Sequence, residues 1–265
     1  MKNTSVIYKY RTWDDEFHRD VLQKNELYFS SPASINDPFD FQTSPDLSQL
    51  DTDLKRELFI NKMLNEAAQG LRLLGINPDT VRKESLKKLK FSATAFQNEY
   101  DELNSKWTNA RFGVISFSYR WDSILMWTHY AKNHKGFCVG FSKAELERST
   151  IIGTAGPATY TDIFPPLDPL EENIHKEIFL KTHTKAKDWA YEEEYRITNL
   201  WSEHDPSIAD RKVNFPDNFI SEIILGYLIS PEHKREILQI AEAKNVPVYQ
   251  ITKKNRSFLF DKVKL

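Results

Sequence analysis

Residues 114–141, VISFSYRWDSILMWTHYAKNHKGFCVGF, carry seven aromatic side chains and two histidines in twenty-eight positions. Rings this dense are costly to leave in water, so the segment must form core, pocket wall or both. Ile115 and Phe117 alternate with Ser116 and Ser118, as in a strand with one apolar face. Asp122 or Ser123 is placed to cap a short helix running from Ile124 to Ala131. Gly136 ends that excursion, and Phe137 to Phe141 returns as a second strand. On the helix, Trp121, Leu125 and His129 share a face, and Trp127 lies beside Tyr130. His129 has two readings, a satisfied structural histidine or a pocket group; His134, in a polar turn, is expected to face solvent.

The flanking chain reads as small elements. Ser5 to Tyr10 has strand composition, and Thr12 is the expected cap of a helix whose Trp13, Phe17 and Val21 form an apolar stripe. Glu26 to Ser30 is a second strand. Ser31 to Phe41 cannot be regular, because Pro32, Asn36, Asp37 and Pro38 favour turns. This loop is either a plain connection or the edge of a pocket. Helical periodicity then covers about Leu50–Leu74 and Asp79–Phe112. Here Arg82, Lys83, Lys87, Lys88 and Lys90 are best read as a solvated face. Another helix spans Leu170 to about Lys187, with Lys181, Lys185 and Lys187 suiting its C-terminal dipole. Ser221–Gly226, a helix capped by Ser230 with Pro231 at its first turn, and Val246–Ile251 make a β–α–β unit. Ser257 to Val263 supplies a last strand with a basic edge. The expected architecture is a single α+β domain over 1–265. It has a small mixed β-sheet around an aromatic cleft, and a helical pair inserted at 50–112.

The second informative stretch is DWAYEEEYRITNLW. If Glu192 to Leu200 is a strand, Glu192, Glu194 and Arg196 point to one side, and Glu193, Tyr195 and Ile197 to the other. Two carboxylates at that spacing repel unless a cation or a ligand hydroxyl lies between them. The bland reading is a surface charge ladder with Arg196 as counter-ion; the sharp one is a carboxylate pair inside a cleft.

Several classes fall away. The net charge is only −2 although 28% of residues are charged, so there is no strong signal for nucleic acid or an anionic membrane. Cys138 is the single cysteine, which excludes an intrachain disulfide or a Cys-rich zinc site and fits a reducing cytoplasm. The N-terminal MKNTSVIYKYRTWDDEF lacks the apolar core of a secretory signal, and no run of eighteen apolar residues occurs. Eight glycines are too few for a phosphate-cradling loop fold. A metal-dependent phosphoesterase would have to draw on Asp37, Asp40, Glu192 and Glu194.

Four stretches together resemble a bacterial family known as domain of unknown function 2971. They are YKYR (Tyr8–Arg11), LYFSSPASINDPFD (Leu27–Asp40), ILMWTHYAKNHKGFCVGF (Ile124–Phe141) and WAYEEEYRI (Trp189–Ile197). The helical insertion lies outside this likeness. The order of elements is also similar to that of ADP-ribosyltransferase-type folds. Those use an early basic or histidine residue, a small polar or aromatic residue on a middle strand, and a late glutamate. The resemblance maps these onto Arg11 (with Tyr10 beside it), onto Ser116 or Tyr130, and onto Glu194 with Glu192 nearby. It implies NAD as substrate, with Trp127 and Tyr130 stacking on its rings and Arg11 neutralising its pyrophosphate. Ser31, Asn36, Asp37 and His129 would be further NAD contacts, and Glu192, Glu194 and Arg196 the catalytic set. The implied function is an NAD-using ADP-ribosyltransferase-like enzyme, a toxin or phage-defence effector, acting on an unknown macromolecular acceptor. The alternative is a non-catalytic nucleotide- or peptide-binding module in a defence or signalling system.

Overall fold

Ile7 and Lys9 alternate with Tyr8 and Tyr10 in the first strand, and all four are buried, as a strand covered on both faces requires. The structure, a computed structural model, describes residues 5–149, 151 and 153–265; the first four residues of the stretch read for a secretory signal lie outside them. The chain opens with β1 (Val6–Arg11), α1 (Glu16–Gln23) and β2 (Glu26–Tyr28). Helices follow as α2 (Asp53–Glu66), α3 (Ala68–Leu73), α4 (Pro78–Phe91) and α5 (Ala93–Arg111). The centre holds β3 (Phe112–Ser118), α6 (Ile124–Tyr130), β4 (Phe137–Ser142), α7 (Lys143–Arg148), β5 (Thr154–Pro157) and β6 (Thr159–Thr161). After α8 (Ile174–Thr182) come β7 (Thr184–Ala186), β8 (Glu194–Leu200), β9 (Lys212–Asn214) and β10 (Ile220–Leu225). The last elements are α9 (Pro231–Ala243), β11 (Val248–Lys253) and β12 (Phe260–Lys264).

The fold is α+β, but the sheet is large rather than small. Among the described residues eight strands join in the order β12-β11-β10-β4-β1-β3-β8-β5. Its pairs are antiparallel except β10 with β11, the parallel pair of the β–α–β unit. One face packs Ile7, Phe117, Val139, Phe141, Ile197 and Ile223 against Trp13, Val21 and Leu22 from the α1 region and Ile237 from α9. The opposite face carries Tyr8, Tyr10, Cys138 and Ile224 against Met126 and Trp127 of α6. Alternation along each strand therefore assigns side chains to an α1 side and an α6 side.

Between β1 and β3 the sheet forks. Among the described residues these two strands pair only where Tyr8 faces Ser118. Beyond it the edge of β3 is taken by Ser30, whose N–H and C=O exchange hydrogen bonds of 2.9 Å with Val114. The Lys9 ammonium occupies the gap, donating to the Ser116 carbonyl at 2.9 Å. A buried carbonyl that has lost its ladder partner is satisfied by a side chain instead.

By compactness the chain divides into residues 1–35, 111–161 and 185–265, which carry the large sheet, and residues 36–110 with 162–184. The second unit has its own core of Leu47, Leu50, Phe59, Ile60, Leu89 and Phe96. The expected helical pair is broken further, at Ala67 and Ser92, into α2, α3, α4 and α5. Lys88 and Lys90 of the basic run pair with Glu99 and Asp53, as a solvated face does.

Local corrections have simple causes. Asp15, not Thr12, caps α1, because its carboxylate accepts from the N–H groups of Phe17 and His18. Ser123 caps α6. His134 does not face open solvent; it is half-buried and stacks on Trp127, with ring centroids 6.4 Å apart. The expected helix to Lys187 stops at Thr182, and Thr184–Ala186 is a strand.

Gly136 makes the turn into β4 possible, since a Cβ there would lie 2.1 Å from the Arg11 carbonyl oxygen. Gly136→Ala should lower stability by about 3 kcal/mol in chemical denaturation, because backbone cannot move aside as a side chain can. Gly70→Ala, in α3 with nothing within 4 Å of the new methyl, should instead raise it by about 0.5–1 kcal/mol.

Candidate functional site

The late acidic stretch is not one strand. Residues Lys187–Glu192 form a 3-10 turn, Glu193 adopts a left-handed conformation at φ 41°, and β8 begins at Glu194. Ser118, at the end of β3, fixes this bend by donating to the Glu192 carbonyl at 2.5 Å while accepting from Arg120 N–H at 3.0 Å. Glu192 and Glu194 thus reach the same place from two different elements. The cation between them is Lys185 of β7, whose ammonium bonds Glu192 Oε2 and lies 3.4 Å from Glu194 Oε2. Arg196 donates to the same Glu194 oxygen at 2.9 Å. Tyr130, the last residue of α6, donates its hydroxyl to Glu192 Oε1 at 2.5 Å, and Tyr160 accepts from Glu194 N–H at 2.8 Å.

These charges are out of water: Glu192 is 3% exposed and Glu194 4%. Above them is a half-exposed aromatic rim. The Lys185 ammonium lies 4.8 Å from the centre of the Trp189 ring, and Tyr191 contacts both Trp189 and His129 at 6.1 Å between centroids. His129 in turn meets Tyr130.

The two carboxyls are driven apart electrostatically. Burial would raise the pKa of Glu194, but Arg196 and Lys185, with hydrogen bonds from Arg196 and Ser116, together hold it at about 2. Glu192 is displaced upward. Its burial and the neighbouring Glu194 charge outweigh Lys185 and the hydroxyl of Tyr130. Glu194 is therefore a fixed anion, whereas Glu192 holds its charge less firmly and can take a proton. Paired groups pushed in opposite directions are a frequent mark of acid–base sites.

Ser116, Tyr130, Glu192, Glu194 and Arg196 are brought together, with His129 on the rim. Trp127 stands apart, being fully buried with its indole N–H on the Trp121 carbonyl at 2.7 Å, so its ring is not open for stacking. Tyr10 backs Trp127 edge-on at 5.1 Å and donates to the Arg120 carbonyl. Arg11 is on the α1 side of β1, one residue out of phase with Tyr8 and Tyr10, with the fork between it and Glu194. Ser31 caps the turn Pro32–Ser34. Asn36 and Asp37 belong to the second unit, where Asp37 accepts from Phe39 N–H at 2.9 Å. The proposed metal set is likewise divided, Asp37 and Asp40 in one unit and the glutamates in the other, and no metal-holding cluster occurs among the described residues. Lys185 was missed because it reads as a helix-end cation; the β-branched Thr182 and Thr184 just before it were the sign that the helix ends there. Trp189 and Tyr191, spaced by two, were the unread half of the rim.

Fold and site define an α+β protein with a buried glutamate–lysine–arginine cluster under an aromatic rim. Residues 126–197, which carry most of α6 and both glutamates, match the family described as a protein of unknown function, DUF2971, so the resemblance read in the sequence holds there. Neither a curated protein nor a solved structure matches the chain. No helix among the described residues is long and apolar enough to cross a membrane.

Lys185→Met leaves buried Glu192 without a cation and Glu194 with Arg196 alone, and should cost about 3–5 kcal/mol in urea unfolding at neutral pH, with a smaller loss when combined with Glu192→Gln. Within the cluster, Glu194 contributes stability that depends on pH. Unfolded it takes up a proton near pH 4.5, folded only near about 2. Its contribution, about 3 kcal/mol, is complete above the first value and disappears as pH falls to the second. Glu194→Gln should flatten the fall in unfolding free energy across that window.

Proposed function

We propose that the protein is an NAD-using ADP-ribosyltransferase-like enzyme whose site is the cluster of Ser116, Tyr130, Lys185, Glu192, Glu194 and Arg196. The observation that carries the reading is the shared site of Glu192 and Glu194, one carboxyl fixed as an anion and the other raised, held against Tyr130 from a distant part of the chain. In the reaction the bond between ribose C1′ and the nicotinamide nitrogen breaks, and its electron pair leaves with neutral nicotinamide. Positive charge develops on the ribose, and a carboxylate that stays ionised beside it stabilises that charge. This is the role of Glu194, with Arg196 and Ser116 holding its orientation. The acceptor's nucleophile forms the new bond to C1′ and gives its proton to Glu192, whose raised pKa suits a general base. Tyr191, Trp189 and His129 supply flat surfaces for the nicotinamide or adenine ring.

The test is incubation with NAD labelled in its adenylate part and a mixture of candidate protein and nucleic-acid acceptors. Label transfer and nicotinamide release are expected, with Glu194→Gln slowing both by about 10²–10³-fold. Glu192→Gln should slow transfer to acceptor more than nicotinamide release. Tight NAD binding without turnover would favour the non-catalytic nucleotide-binding module. Neither binding nor turnover would remove NAD from the account.

A further inference from the structure

A second site lies across the sheet, on the α1 side of the fork. A cavity of about 350 Å³ opens there between β1, α1, β2 and β9, lined among others by Arg11, His18, Leu27, Tyr28, Ser30 and Ile208. That volume suits a small organic ligand. Its rim is unusually apolar for exposed surface, with Phe17 68% and Ile208 70% exposed at the same mouth.

The charged lining residues are Arg11, Asp15, Glu26 and Lys212, and their formal charges sum to zero, but only Glu26 and Lys212 are joined as an ion pair. Glu26 and Lys212 pair with each other at 2.8 Å, and the Asp15 carboxylate is occupied with the α1 N-terminus. Arg11 donates to the carbonyl of Tyr10, and Lys9, next on the same side, donates to the carbonyl of Ser116. Among the described residues neither cation has a carboxylate within ion-pair distance. Burial lowers the pKa of Arg11 to about 10 against the opposing charge of Asp15, and burial with the Arg11 charge lowers that of Lys9 well below its ordinary range against the opposing charge of Glu194. Both cations hydrogen-bond only to carbonyl oxygens, with their carboxylate neighbours beyond ion-pair distance, so an anion entering the cavity can make the direct ion pair that Arg11 lacks. His18 completes the chemistry. Burial and Arg11 bring its pKa to about 4, so it is neutral, and its Nδ1 accepts from Thr12 N–H at 3.4 Å. That fixes the proton on Nε2, an uncharged donor lining the cavity beside a guanidinium.

We infer that this pocket binds a small ligand with an oxyanion, carboxylate or phosphate, on a flat apolar body, the oxyanion on Arg11 and His18 and the body against Phe17, Tyr28 and Ile208. Arg11 then serves this ligand rather than the glutamate cluster on the other side of the sheet. The guanidinium fork matches a planar carboxylate or two phosphate oxygens.

Benzoate, phenyl phosphate, benzamide and inorganic phosphate, titrated into the full chain and followed by amide NMR shifts, test this directly. Benzoate and phenyl phosphate should saturate shifts at Thr12, His18, Tyr28 and Ser30, and their relative affinities tell carboxylate from phosphate. Benzamide, with the body but not the charge, and inorganic phosphate, with the charge but not the body, should each bind at least about tenfold more weakly. Arg11→Gln should lose at least about tenfold for both anionic probes, and Ile208→Asp, at the exposed rim, should lose a similar factor if Arg11→Gln fails to fold. Glu194→Gln should bind the probes as the parent does, which separates this site from the proposed transferase. Probe shifts elsewhere on the protein, no saturation by either anion, or unchanged affinity in a folded Arg11→Gln would overturn the inference.

Discussion

One ammonium group, that of Lys185, makes the candidate site possible. Two carboxylates from neighbouring positions cannot both stay ionised away from water without a cation between them. Lys185 touches Glu192 and lies near Glu194, and Arg196 completes the charge balance on Glu194. Because the balance is uneven, the two carboxyls differ: Glu194 has two cations and Glu192 shares one. The functional asymmetry, a fixed anion beside a proton acceptor, follows from how many cations each oxygen pair meets.

The sheet determines what that cluster can touch. β3 and β8 pair throughout, from Phe112 with Leu200 to Ser118 with Glu194, which places Ser116 beside Arg196 and close to Glu194. α6 covers the same face and brings Tyr130 onto Glu192 across 62 positions of sequence. On the other face, buried Lys9 fills the fork where β1 leaves β3, and Arg11 beyond it lines a pocket. The sheet therefore has two chemically different sides, a buried glutamate–lysine–arginine cluster under aromatic rings and a pocket that combines Arg11 and His18 with apolar walls.

Much of this was legible in the chain. Strong periodicity gave β1, β3, α6, β4 and the β–α–β unit, because aromatic and β-branched residues repeat at the spacing of their element. The association of α6 with the glutamates was also legible, as a resemblance spanning both. What was not legible depended on contacts distant in sequence. Glu192 and Glu194 read as neighbours on one strand, but Ser118 bends the chain between them and they meet only through Lys185. Lys185 itself obeyed a local rule for helix ends that tertiary packing overrode. Arg11 was assigned to the glutamates because strand parity at the fork cannot be known before it is known which strands pair. Trp127 read as a stacking surface, whereas its ring fills the space behind the site.

The account stands or falls on the unequal protonation of two adjacent carboxyls. An NMR titration of the side-chain carboxyl carbons of Glu192 and Glu194, followed from neutral pH into acid, measures it without assuming any substrate. Glu194 should hold its charge to a pKa of about 2, with Glu192 titrating above the ordinary glutamate range. Two carboxyls titrating together at the ordinary value near 4.5 would contradict it, leaving a solvated pair of surface charges where the site was placed.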